Sequence, residues 1–584
     1  MASNDLVIRN GTVVDGTGSP PQHADVAIRG DRIAAVGSDV GAGRREIDAT
    51  DHIVTPGFVD IHTHYDAQAT WDPFLSPSSQ HGVTSVVMGN CGVGFAPVNE
   101  GLRDELIELM EAVEDIPGTA LHEGIQWEWE SFPEFMDALE RRPHAIDYGV
   151  QVPHCALRAY VMGQRGIDNE EATPEDVERM AAIVREGVRA GALGFSTSRT
   201  ELHNTLEGVP VPGTFAGRDE LFGIGRVLGE LGTGVFQMSV THRDVPKEMA
   251  WMKDLARETG RIVTFNLQQI DENPELYKEG LRLLDEARAD GVHNLRGQFS
   301  GRPVGVMMGW ETSVHPFIGH PEYVKLARLP MADRLRELRR PEVKARLVAG
   351  GGIRTEGLPE DAPIPPIFLQ FLVASTHKMF AMGTGHDYEP DPESSIAGRA
   401  RATGASQAEL VYEALMELDG RGLLYFPLFG YAQGSFDAIL ETMRHPSTGL
   451  SLADGGAHCG AICDASTPTF MLMHWARDRT RGERLPLEYV VKRQTRDTAA
   501  QYGLRDRGLL APGLKADLNV IDFENLGLTP PEVRYDFPAG GRRLHQGATG
   551  YRATVVSGEV VFEDGEPTGA LPGRLIRGEQ GASA

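Results

Sequence analysis

The middle of this 584-residue chain alternates short apolar, β-branched runs with charged segments of helical period. Candidate strands lie at 58–62, 84–89, 147–153, 192–197, 234–240, 262–267, 295–299 and 450–453, and helical stretches include 102–113, 174–190, 219–231 and 247–259. Strand runs without polar alternation are buried on both faces, and strands separated by helices pair in parallel. Eight of them fit an α/β fold built on a TIM-type (β/α)8 barrel, in which functional side chains gather at the carboxyl ends of the strands. Thr173-Pro174-Glu175-Asp176 reads as an N-cap with proline in the first helical turn.

The two ends of the chain have a different grammar. Leu6 to Gly16 reads as strand, Asn10-Gly11 turn, strand, and Val26 to Gly37 repeats it. Such a meander is too small to bury its face alone. Its partner is expected at the far end, where Asp517–Asp522 and Tyr551–Val561 again read as strands. The predicted organisation is a small β-sandwich shared by residues 1–57 and 506–584, with the barrel at 58–505 between them. Residues 321–448, helical with a Gly/Pro-bearing stretch, read as an insertion before the last strand that covers the barrel mouth. The final Gly-, Ala- and Ser-rich residues read as loose.

Lys and Arg number 56 against 83 Asp and Glu, a net charge of −27. Such a surface repels phosphate backbones and anionic lipid, which argues against nucleic-acid or membrane partners. Four cysteines in so long a chain do not make a disulfide framework. Neither a secretion leader nor a membrane-length apolar run is read, so a cytoplasmic soluble protein is expected.

The chemistry is expected where strands end. In Phe58-Val59-Asp60-Ile61-His62-Thr63-His64 the two histidines are two residues apart, so on a strand they share a face and can take two positions around one metal ion. Cys91 follows the second strand in Gly89-Asn90-Cys91-Gly92, and a divalent cation would stabilise its thiolate. Asp454 ends the last candidate strand and can both bind a metal and take a proton from bound water. His458, four residues on, can polarise a carbonyl oxygen or orient the base. After the fourth strand, Arg199 can fork onto a substrate carboxylate, with His203 beside it. His154, Arg158 and His377 rank lower, and Trp127, Trp129 and Phe132 are read as core packing more than as a pocket wall.

These stretches together resemble the amidohydrolase superfamily and, within it, the N-acyl-D-amino-acid deacylase (D-aminoacylase) family. The likeness runs from Asn10–Gly18 through Pro56–His64, Gly89–Gly92, Gly191–Thr197 and the Asp454 turn to Leu509–Leu518. It implies a β-sandwich plus (β/α)8 barrel with zinc at the strand ends. His62 and His64 would be the paired first-strand ligands, Cys91 the cysteine replacing a carboxylated lysine, and Asp454 ligand and general base. The family also carries histidine ligands at the tips of the fifth and sixth strands. Here those strands end in Gln237-Met238-Ser239-Val240 and Asn266-Leu267-Gln268, and only the displaced His242 offers an imidazole nearby. One zinc ion rather than two is therefore expected.

The resulting expectation is hydrolysis of a linear amide, an N-acyl (D-)amino acid or related small amide, by zinc-activated water with Asp454 as general base. Cyclic-amide (hydantoin-like) or ester/lactone hydrolysis on the same site is the first alternative. A non-catalytic amidohydrolase-like scaffold is the second. A homo-oligomer is expected, as for large soluble enzymes generally.

Overall fold

The computed structural model describes residues 4–205, 207–241, 244–349, 371–385 and 387–578. His242 lies outside these residues. Eight strands in the middle of the chain pair in parallel, each with the next. They are β1 (Phe58–Asp60), β2 (Val83–Met88), β3 (Asp147–Val150, continued by Val152–Pro153), β4 (Gly194–Ser198), β5 (Val235–Ser239), β6 (Val263–Asn266), β7 (Leu295–Phe299) and β8 (Thr448–Leu450). The pairings run from Phe58↔Val83 to Val150 in one sheet of three strands, break at Gln151 within β3, and resume at Val152–Pro153 in a sheet of six that runs through Gly194↔Val235 to Gly297↔Thr448. A parallel bridge between Thr63 and Gly455 brings the end of β8 back against the end of β1. Side chains on these strands are almost all buried, which is why the runs carry no polar alternation.

The predicted helices form between the strands. Pro174–Ala190 starts with a capping box: Thr173 Oγ1 accepts from the Asp176 amide at 3.2 Å, and Asp176 accepts from the Thr173 amide at 3.0 Å. Arg218–Leu231, Val245–Thr259 and Leu276–Ala289 follow β4, β5 and β6. No helix among the described residues is long and apolar enough to cross a membrane.

Both ends of the chain meet in one nine-stranded sheet. Its seam is Ile53–Pro56, which pairs antiparallel with Leu518–Ile521 and parallel with Asn4–Val13. Gly57 alone separates this seam from β1, and a Cβ there would lie 2.1 Å from Thr84 Oγ1, so the junction demands glycine. The Asn10-Gly11 pair does not turn the chain as expected. Asn4–Val13 is one strand, with an irregularity between Ile8 and Gly11 where Asn10 takes φ 59° and its amide donates to Asp25 Oδ1 at 2.8 Å. The residues that suit a tight turn also suit a bulge, and the neighbouring strand decided between them.

The segment between β7 and β8 begins earlier than the sequence pattern suggested. Gly305–Met308 pairs with Leu424–Pro427, which also takes Phe380–Ala381, in a small antiparallel sheet. It carries its own apolar cluster, including Met308, Trp310, Phe317 and Phe426. This unit packs on the loop after β8, where the Met307 amide donates to Ala461 O at 2.7 Å and Gly305 to Asp464 Oδ2 at 3.1 Å.

Candidate metal centre

At the end of β1 the alternation places His62 and His64 on one side, with ring centroids 5.4 Å apart. Thr63 points the other way and its hydroxyl donates to Val87 O on β2 at 2.9 Å, fixing the pair. Just past β2, Cys91 brings its Sγ within 3.1 Å of His62 Nε2. Its φ of 56° is left-handed, and the next residue, Gly92, lies so close to β4 that a Cβ would meet Ser198 N at 2.9 Å. The Cys91 amide donates to Gln237 Oε1 of β5 at 2.9 Å, and Ser239 Oγ, also of β5, lies 3.5 Å from the thiol. Past β8, Asp454 has φ 47°, and its Oδ1 stands 3.5 Å from His62 Nε2 and 4.0 Å from His64 Nε2. Left-handed backbone at the non-glycine residues Cys91, Asp454 and His458 is costly, and it clusters where side chains must be aimed.

His62 Nδ1 lies 3.0 Å from Gln298 Oε1 on β7, and an amide oxygen can only accept, so Nδ1 carries the proton. The Nε2 lone pair is thereby turned toward Cys91 and Asp454. His62, His64 and Cys91 are buried, whereas Asp454 keeps a partial opening to solvent.

Burial pushes every group here toward its neutral form. It takes the His62 imidazole down to about 4 and the Cys91 thiol well up, with the nearby Glu114 carboxylate adding to the latter. The Asp454 carboxyl is also raised, by burial first and then by Asp464 and Asp60. A divalent cation reverses that logic, because it stabilises thiolate and carboxylate and needs neutral imidazole. The ligand atoms of His62, His64 and Cys91 all lie within 4.8 Å of one another, and His62 turns its Nε2 toward Cys91 Sγ. The residues fit a metal ion.

The other expected site residues divide. His458 comes to the centre, its Nε2 3.7 Å from Glu114 Oε2 and its side chain 31% exposed. His203 also faces it, accepting or donating at Nδ1 with Ser198 Oγ of β4 at 3.0 Å. Burial, with His458 and His62 close by, pushes the His203 imidazole down to about 3. Arg199 does not provide the expected carboxylate fork. Its Nε and Nη2 meet Glu248 at 3.2 and 3.3 Å, and Nη1 donates to Thr214 O and Ala216 O at 3.1 and 2.7 Å. The buried carboxylate of Glu248, on the helix after β5, and two backbone carbonyls take up this guanidinium, which is committed to the fold.

His154 bonds Thr197 Oγ1 and Glu220, which also takes Arg158, while His377 is exposed on a short 3-10 turn. Trp127 and Trp129 pack on one another, and Trp129 donates to Phe95 O at 2.8 Å, as core residues do. All four cysteines are buried and free.

Three participants escaped the sequence pattern. Gln237 and Gln298 are polar residues at interior positions of β5 and β7. Glu114 ends the helix Arg103–Glu114 on its apolar stripe, at the i, i+3, i+7 spacing of Ile107 and Met110. A carboxylate on that stripe is the signal that marks it.

The family model described as the amidohydrolase family matches residues 45–355 and 384–562. A D-aminoacylase of Alcaligenes xylosoxydans xylosoxydans is 28% identical over 98% of this chain and 97% of its own length. The N-acyl-D-aspartate deacylase of the same organism is 26% identical over 98% and 95%. Among solved structures, the N-acyl-D-glutamate deacylase of Bordetella bronchiseptica, complexed with zinc and a phosphonate mimic of the reaction's tetrahedral intermediate, superposes with a TM-score of 0.64. It is 22% identical and the match covers 98% of this chain and 99% of that one, which is a likeness of fold. The chain therefore belongs to the amidohydrolase family.

Proposed function

We propose that this protein is a zinc-dependent hydrolase of linear amides whose substrates are N-acyl-D-amino acids or closely related small amides. The observation that carries the reading is the convergence of His62, His64 and Cys91 within one ion's reach, with Asp454 Oδ1 3.5 Å from His62 Nε2. Its architecture is read as a (β/α)8 barrel formed by β1–β8 within residues 58–505, beside a β-sandwich from 1–57 and 506–584. The acyl-amino-acid specificity follows the two relatives matched along nearly their whole length, one named a D-aminoacylase and the other an N-acyl-D-aspartate deacylase.

His62, His64, Cys91 and Asp454 would hold the ion. When bound, zinc would lower the pKa of a water molecule toward neutrality and polarise the amide carbonyl. Asp454 would accept a proton as the water attacks the carbonyl carbon, then deliver it to the departing amine nitrogen. His458, partly open to solvent, would donate to the carbonyl oxygen as charge grows on it, and His203 would line the substrate's approach. The tips of β5 and β6 support one ion rather than two. Ser239 faces Cys91 there, while Asn266 Oδ1 is occupied by the Val240 amide at 2.7 Å.

The test is an assay of amine release over N-acyl-D- and N-acyl-L-amino acids, cyclic imides and esters, with and without added zinc. Zinc-dependent release from the linear D-series supports the reading. Turnover confined to cyclic imides or esters replaces the substrate class, and no zinc-dependent turnover of any of them refutes it. The same preparation tests the expected homo-oligomer by light scattering, and cell fractionation tests the cytoplasmic location.

A further inference from the structure

Glu114 is the buried charge-bearing group at this centre that the proposed reaction does not use. Its carboxylate is almost fully enclosed. Oε1 lies 3.2 Å from His64 Nδ1, Oε2 lies 3.7 Å from His458 Nε2, and Oε2 makes no hydrogen bond. Among the described residues no lysine or arginine pairs with it. Enclosing a carboxylate without a cationic partner is unfavourable unless the site itself repays it. The backbone around it is firmly anchored. The Cys459 amide donates to Glu114 O at 3.3 Å, Asp115 reverses the chain at φ 50°, and Ser313 Oγ donates to Asp115 Oδ1 at 2.8 Å. The helix end is thus fastened both to the loop after β8 and to the segment inserted before it.

Glu114 stands behind His64, 3.2 Å from its Nδ1, as Gln298 stands behind His62. Gln298 takes the Nδ1 proton of His62 and turns its Nε2 to the centre. His64 presents Nε2 toward Asp454; among the described residues its buried Nδ1 makes no hydrogen bond, and the nearest carboxylate oxygen to it is Glu114 Oε1 at 3.2 Å. A carboxylate behind the distal nitrogen of a metal-binding imidazole fixes the tautomer and raises the basicity of the nitrogen that binds.

We infer that Glu114 is a positioning residue of the metal centre, holding the Nδ1–H of His64 and drawing His458 in beside it, so that ligands after β1 and the loop after β8 form one unit. This rests on the metal-hydrolase reading above. Its outcome is read by zinc affinity, measured by competition with a chromogenic chelator, together with the absorption spectrum of the cobalt-substituted protein. Glu114→Ala is expected to weaken zinc binding by about 10- to 100-fold. Glu114→Gln, which keeps an acceptor oxygen and the shape of the side chain, is expected to fall between. Because Glu114 acts behind His64, cobalt band intensities should report an unchanged number of ligands in both variants.

Zinc affinity equal to wild type in both variants overturns the inference. A change in cobalt coordination number on Glu114→Gln overturns it too, since it would make Glu114 itself a ligand. The His62→Ala and His64→Ala variants separate the two levels. If zinc binding survives their loss, the metal-hydrolase reading falls and takes this inference with it. If it is abolished there and untouched in the Glu114 variants, only the inference falls.

Discussion

Arg302 and Asp464 form an ion pair in the interior, both with fully buried side chains, at an Nη2–Oδ1 distance of 2.8 Å. The guanidinium lies over the Tyr388 ring at 4.0 Å and also donates to Cys463 O, yet its Nε and Nη1 have no partner. Asp464 in turn accepts the Gly305 amide. The pair therefore locks the loop that leaves Asp454 and His458 onto the inserted segment. Replacing Asp464 by Ala strands a buried cation with one carbonyl and two unsatisfied nitrogens, and breaking such a pair from one side costs about 3–5 kcal/mol. The loss of the Gly305 amide's acceptor adds ~1 kcal/mol. Replacing both residues, with Arg302→Met and Asp464→Ala together, removes the stranded charge, and should recover about half of the loss or more, because an apolar substitute for an ion pair is often neutral. Urea unfolding followed by tryptophan fluorescence and circular dichroism, on all four members of the cycle, measures this. A single Asp464→Ala variant less than about 1 kcal/mol below wild type would refute the reasoning, as would a double variant no better than the worse single one.

Three further outcomes are expected. Asp454→Asn should leave the fold intact and lower kcat by about 10²- to 10⁴-fold, the usual worth of a general base, as read by steady-state kinetics with thermal melting as control. Arg199→Met should lower stability through the loss of the Glu248 pair while KM changes little, and a large rise in KM at constant stability would restore a substrate role to this arginine. Glu389 is held down to about 2, against burial, by hydrogen bonds from His474 and Arg479, from an ordinary value of 4.5. A carboxylate depressed on folding stabilises the native state above its unfolded pKa and loses that contribution as pH falls. The stability gap between wild type and Glu389→Gln should therefore be full above pH 4.5 and close between 4.5 and about 2 in acid titrations.

Most of the parallel strands were legible because burial on both faces writes itself as runs of apolar and small residues with few charges, as in Val83–Met88 and Val235–Ser239. The cap at Thr173 was legible because it is local: a hydroxyl, a proline and a carboxylate within four residues. The bulge at Asn10 was not, because turn and bulge use the same residues and the difference lies in how Gln22–Arg29 pairs alongside. The early start of the inserted segment was hidden for the same reason, since Gly305–Met308 finds its partner about 120 residues later.

At the centre, His62, His64, Cys91 and Asp454 could be marked because each sits at a strand end with the right chemistry. What sequence could not show is who stands behind them. Arg199 has the same look whether it awaits a substrate or holds Glu248, and only the fold brings Gln298 and Glu114 to the distal nitrogens of the two histidines.

The central claim is that His62, His64 and Cys91 bind one catalytic ion. Zinc counted by mass spectrometry on protein purified without chelator, for wild type and for the His62→Ala/His64→Ala double variant, tests it directly. One zinc per chain in the wild type, absent from a folded double variant, is the result expected. A wild type without zinc that gains none on reconstitution, or a double variant that keeps its ion, would contradict it.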